Sequence, residues 1–149
     1  MIIIIIIIII IIITKKCLYE GVIVPTALYR ADVWGMRSAG RRKENVLEMK
    51  CLRNLVGVPL MHRVRNEVVR RRAGIENELT SRADQRVLRW FGHVERMDEY
   101  RMARRVLEEV SGGRVRGRPR FAWMDGMLLP CRRQCAKDRK EWRALAHMY

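Results

Sequence analysis

Between Arg82 and Met97 apolar residues return at three- and four-residue steps, at Val87, Trp90, Phe91, Val94 and Met97. That period matches an α-helix with one face buried and excludes a strand, whose faces alternate every second residue. The opposite face has its own order. Arg82, Arg86, Arg89, His93 and Arg96 follow at steps of four, three, four and three, so they form one basic stripe. Ser81 followed by Asp84 resembles a capping box at the start of this helix.

The same grammar recurs along the chain. From Ser38 to Val56 an apolar set at Val46, Met49, Leu52, Leu55 and Val56 predicts a helix, and Gly57 with Pro59 stops it. Leu47 and Cys51 lie off that face, so this helix is expected to be packed from two directions. Asn66 to Ala73 predicts a short helix, capped by Asn66 and closed by Gly74, with Arg70, Arg71 and Arg72 facing solvent. Met102 to Val110 predicts another, ended by Ser111-Gly112-Gly113. A helix is expected from Phe121 through Leu129, broken at Pro130. Asp138 with Glu141 reads as a capping box for a last helix, with Trp142, Leu145 and Met148 as its packing face. Cys17 to Trp34 reads either as a helix starting near Pro25 or as a short strand at Val22–Val24 followed by that helix, with Gly35 ending it. The expected fold is all-α, an irregular bundle of about six helices.

The N-terminus breaks this pattern. Ile2 to Ile13 is an unbroken run of twelve isoleucines, short of the roughly 20 apolar residues a spanning helix needs. Its flanks are wrong for a secretory signal, because Lys15 and Lys16 follow the apolar stretch rather than precede it. β-Branching favours extended chain, and a uniform tract has nothing to fix a register. The tract reads as a translated simple repeat, with no stable membrane insertion expected. The organisation expected is therefore a low-complexity tract at 1–14, a basic helical region at 15–110, a basic Gly/Arg/Pro loop at 111–120 and a helical segment at 121–149.

Charge narrows the class of partner. Lys plus Arg number 31 against 16 Asp plus Glu, a formal net charge of +15. Such an excess draws the chain to polyanions. Arginine dominates it, and guanidinium forks grip phosphates at two points, although an Arg-rich codon composition gives the same ratio. Two places concentrate the charge: the stripe from Arg82 to Arg96, and a loop bearing Arg114, Arg116, Arg118 and Arg120. Arg116-Gly117-Arg118-Pro119 matches the core of an AT-hook, whose guanidiniums sense a narrow minor groove. A stripe of one sign departs from the mixed signs of an ordinary solvated helix face.

Catalytic signatures are missing. Two-metal chemistry needs clustered carboxylates that hold the metals about 4 Å apart. Asp32, Asp84, Asp98, Asp125 and Asp138 are scattered, and Asp98-Glu99 reads as a solvated turn. The sequence contains no phosphate-cradling P-loop, no HExxH and no GxSxG. Cys131, Cys135 and His147 offer three metal ligands where zinc takes four, so they read as thiols and a surface histidine. His93 has no nucleophile or carboxylate beside it in the pattern and reads as a boundary residue. No catalytic residue, metal or cofactor is assigned. Four cysteines without a signal segment predict reduced thiols in a cytoplasmic or nuclear protein, not a secreted one.

Several segments, in order, resemble a known family. Leu88-Arg89-Trp90-Phe91-Gly92-His93-Val94-Glu95-Arg96-Met97 is similar to a signature near the C-terminus of non-LTR (LINE-type) retrotransposon reverse transcriptases. Leu28-Tyr29-Arg30-Ala31-Asp32-Val33-Trp34 resembles the segment after the palm in those proteins, with Arg30 for the usual glycine and Asp32 for the usual glutamate. Glu48-Met49-Lys50-Cys51-Leu52-Arg53 resembles the next helix. Gly117-Arg118-Pro119 with Trp123, then Asp138-Arg139 with Trp142-Arg143, resembles the closing segment. The resemblance runs from about Tyr19 to His147 and implies a thumb and post-thumb region that holds RNA or DNA, without the polymerase and endonuclease motifs. The expected function is thus non-catalytic nucleic-acid binding, mainly through phosphates. The alternatives are a helical scaffold for an acidic partner and an inert pseudogene product.

Overall fold

A computed structural model describes residues 2–31, 38–75, 77–110 and 133–148. Its elements are α1 (Ile2–Leu18), a π-helical turn (Tyr19–Ile23), α2 (Val24–Ala27), α3 (Ser38–Val56), a 3-10 turn (Leu60–His62), α4 (Asn66–Ala73), α5 (Leu79–Glu95), α6 (Met102–Val110), α7 (Arg133–Lys137) and α8 (Arg139–His147). The described residues hold no strand, and the fold is all-α as expected. The chain divides into two compact units. The first comprises 1–29 and 39–81, the second 30–38 and 82–149. The expected helix at 121–129, the basic loop at 114–120, Gly35 and Cys131 lie outside the described residues.

The isoleucine tract is helical, not extended. Ile2 begins α1, which runs without interruption to Leu18. No strand is present among the described residues to pair with an extended tract, so only a helix lets its backbone groups bond one another. β-Branching lowers helix propensity only slightly, by less than about 0.7 kcal/mol per residue. Ile3 to Ile13 remain 43–72% exposed, so packing does not hold this helix. No helix among the described residues is long and apolar enough to cross a membrane.

The strand alternative at Val22–Val24 is also set aside, because α1 continues through the π turn into α2. Pro25 explains the turn. Proline lacks an N–H and its ring crowds the carbonyl four residues back. One residue before it, the Val24 N–H reaches to the Tyr19 carbonyl, five residues back, and the widened turn makes room for the ring. Tyr19, Val24 and Leu28 are buried.

In the first unit α3 and α4 have the predicted bounds, and both end in left-handed glycines. Gly57 has φ +71° and Gly74 +65°. After Gly74 the Ile75 N–H donates to the Arg70 carbonyl and the Gly74 N–H to the Arg71 carbonyl, each at 3.1 Å, a double clasp that satisfies two of the last four carbonyls. Met49, Leu52, Leu55, Val58, Val69, Ala73, Ile75 and Leu79 are buried. Val46 was expected on the buried face but is 64% exposed.

The buried face instead includes a carboxylate. Glu48 is 2% exposed, with its oxygens fully used. Arg70 Nη2 donates to its Oε2 at 2.6 Å, and the Leu79 N–H donates to its Oε1 at 2.9 Å. Tyr19 Oη lies 3.5 Å from the same Oε1. Three sequence expectations are corrected here. Arg70 is not solvent-facing like Arg71 and Arg72. It is drawn inward by Glu48, and its Nη1 holds Glu78 at 2.5 Å. The helix expected to begin at Arg82 begins at Leu79, because Glu48, from α3, caps its first N–H in place of the Ser81/Asp84 box. Asn66 does not cap α4. Arg65 occupies that position, and Asn66 Oδ1 accepts from Arg53 Nη2 at 3.1 Å.

In the second unit Leu88, Phe91, Val94, Leu107, Ala136, Trp142 and Ala146 form one core. Trp142 is its keystone. Its indole Nε1–H donates to the Leu88 carbonyl at 2.8 Å, and its ring lies 5.6 Å from that of Phe91. Gly92 makes this possible, because a Cβ there would overlap the indole. Asp138 caps α8 as expected, accepting from the Lys140 and Glu141 N–H groups at 2.7 and 3.2 Å. The packing face of α8 differs at one position. Ala146 is buried and Met148 is exposed, because α8 ends at His147. Buried Glu95 pairs with Arg104, whose Nε also lies 3.0 Å from Glu108.

Candidate nucleic-acid interface

The packing of Trp142 over Gly92 sets α8 against the C-terminal half of α5. The residues flanking that contact are basic on both helices. Arg89 and His93 of α5, with Arg96 in the turn just past its end, line one side of a groove of about 530 Å³, and Arg139, Arg143 and His147 of α8 line the other. Trp142 and Ala146 form its floor, and among the described residues no carboxylate lines it. Four guanidiniums keep the groove positive at any physiological pH.

Helical spacing explains each rail. Arg89, His93 and Arg96 lie within two turns on the face opposite Leu88 and Phe91. Arg139, Arg143 and His147 follow at four-residue steps along α8, so they share one face. The α8 rail also borders a second hollow of about 650 Å³, where Lys140 joins Arg139, Arg143 and His147. One arm of the α5 rail is fixed in place. Arg96 Nη1 donates to the Ala136 carbonyl at 2.7 Å, leaving the rest of its guanidinium fork for another acceptor.

The sequence-predicted stripe therefore divides. Arg89, His93 and Arg96 reach the groove, whereas Arg82 and Arg86 do not line it and have interactions of their own. Arg114, Arg116, Arg118 and Arg120 lie outside the described residues. Sequence reasoning missed Arg139, Arg143 and His147. Their signal was the four-residue spacing on a helix already predicted from its cap, and it becomes a site only when α8 is docked on α5.

Among the described residues no group of three or more His, Cys, Asp and Glu side chains is placed to hold a metal ion. Glu48 and Glu95, the buried carboxylates among the described residues, are both paired with arginines. Cys17, Cys51 and Cys135 are free thiols, and burial pushes the Cys51 thiol above its ordinary range, the opposite of an activated nucleophile. Trp142 is 2% exposed and so offers no face on which a base could stack. No protein-family description, curated protein or solved structure matched this chain.

Proposed function

We propose that the chain is a non-catalytic nucleic-acid-binding module that grips the phosphate backbone in the groove between α5 and α8. The observation that carries this reading is the pair of one-sign rails, with Arg89 and Arg96 facing Arg139 and Arg143 and no acid between them among the described residues. Guanidiniums along two facing rails suit a strand of phosphates better than a single anion. With Trp142 buried, base stacking is not available in the groove, so binding is sequence-tolerant and mainly electrostatic. The resemblance to the C-terminal part of non-LTR reverse transcriptases supports the same reading. Two of the segments that carry it, around Trp90-Phe91-Gly92-His93 and Asp138-Arg139 with Trp142-Arg143, are those that meet at the groove.

Fluorescence anisotropy with a labelled single strand and a labelled duplex tests the proposal. Four phosphate contacts give a slope of log affinity on log salt of about −3.6 for duplex and about −2.8 for a single strand. Affinity that is flat between low and physiological salt would remove the basis for the proposal.

A further inference from the structure

The first unit carries a groove of different character. Along α3 and the turn after it, Val46, Met49, Val58 and Leu60 line a cleft of about 870 Å³. Val46 and Leu60 are 64% and 76% exposed, so apolar surface is open to solvent on both sides of the cleft. Arg42, Lys50 and Arg53 also line it, and among the described residues no Asp or Glu does. Arg53 supplies a second cue. Its Nη2 is satisfied by the Val64 carbonyl and Asn66 Oδ1, at 2.6 and 3.1 Å, while its Nη1 is buried without an acceptor. A buried guanidinium N–H without an acceptor leaves Arg53 short of one hydrogen bond and keeps its charge beside the cleft.

We propose that this cleft binds an acidic amphipathic helix of a partner protein. The α3 wall from Arg42 to Arg53 is about 16 Å long at 1.5 Å per residue, which matches three turns of a docked helix. An apolar stripe on that helix fills the floor, and flanking Glu or Asp residues meet Arg42, Lys50 and Arg53. Charge separates this occupant from the others. A second copy of the chain carries the same +15 and is repelled. A nucleic-acid backbone matches the cations but not the apolar floor.

The test uses the full chain and a fluorescein-labelled peptide of about fifteen residues, with Leu at helical three- and four-residue steps and Glu elsewhere. A scrambled peptide of the same composition controls for bulk charge. Val46→Glu and Leu60→Glu are each expected to weaken the patterned peptide by about tenfold or more. Met61→Glu is the matched control, since Met61 is 89% exposed beside Leu60 and does not line the cleft. It makes the same change in net charge and is expected to leave affinity within about twofold. Circular dichroism shows whether each variant is folded, and Leu60→Ser replaces any charged variant that is not. The proposal is overturned if the scrambled peptide binds as well, if Met61→Glu matches Leu60→Glu, or if a single-stranded oligonucleotide displaces the patterned peptide from a chain whose α5 and α8 rails have been neutralised. Concentration-dependent self-association abolished by Leu60→Glu would also overturn it, in favour of a second copy.

Discussion

Replacing Gly92 with alanine isolates the contact on which the α5–α8 groove is built. On an exposed helix this change is stabilising by about 1 kcal/mol, because alanine is the better helix former. Here the added methyl would overlap the Trp142 indole. Overpacking of a filled core costs about 1–3 kcal/mol. Pushing the indole away also breaks its hydrogen bond to the Leu88 carbonyl, and a buried N–H without an acceptor costs about 1–3 kcal/mol more. The net is a loss of about 1–5 kcal/mol, with a fall in Tm of ~10 °C at the middle of that range. Urea unfolding gives the stability change, and the Trp142 indole N–H cross-peak in a proton–nitrogen NMR spectrum reports the lost bond. Trp142→Leu removes most of the obstruction, so the double variant should cost less than the sum of the single ones. A Gly92→Ala chain that unfolds at higher temperature than the parent, with its indole cross-peak unmoved, would refute the packing argument.

Three further outcomes follow from the structure. Glu48→Gln should destabilise the chain by about 3–5 kcal/mol, measured by urea unfolding, because Arg70 would keep its half-buried charge without its main counter-ion. Alkylation followed by mass spectrometry near pH 8 should label exposed Cys17 well before Cys51, since the raised Cys51 pKa leaves less thiolate at any given pH. Equal rates would place Cys51 outside the packing described. Deleting residues 2–13 should leave the helical circular dichroism of the remainder intact and lower self-association in light scattering, because the tract exposes a contiguous apolar surface.

Local signals carried most of the fold. Gly57 and Gly74 ended α3 and α4 where expected because a left-handed residue at a helix end is a local demand that glycine meets best. Asp138 capped α8 for the same kind of reason. The corrections share a different cause. Leu79 starts α5 because a carboxylate from α3, thirty-one residues earlier in sequence, receives its N–H, and nothing in the local pattern of Ser81 and Asp84 reports that. Arg70 turns inward for the same Glu48. The isoleucine tract is helical although its side chains prefer extended chain, because an extended segment needs a partner strand and a helix does not. The candidate site was half legible. Periodicity gave Arg89, His93 and Arg96, but the second rail depends on where Trp142 docks, and that depends on an absent Cβ at Gly92.

The most direct test of the account is the salt dependence of nucleic-acid affinity in a chain whose groove charges are removed in pairs. Arg89→Gln with Arg143→Gln takes one guanidinium from each rail and leaves Trp142, Gly92 and the Asp138 cap untouched. The account predicts weaker binding to both single strand and duplex, with the duplex slope shallower by about 1.8, two phosphate contacts' worth. An affinity and slope equal to those of the parent chain would contradict it and place the nucleic-acid contacts outside the groove.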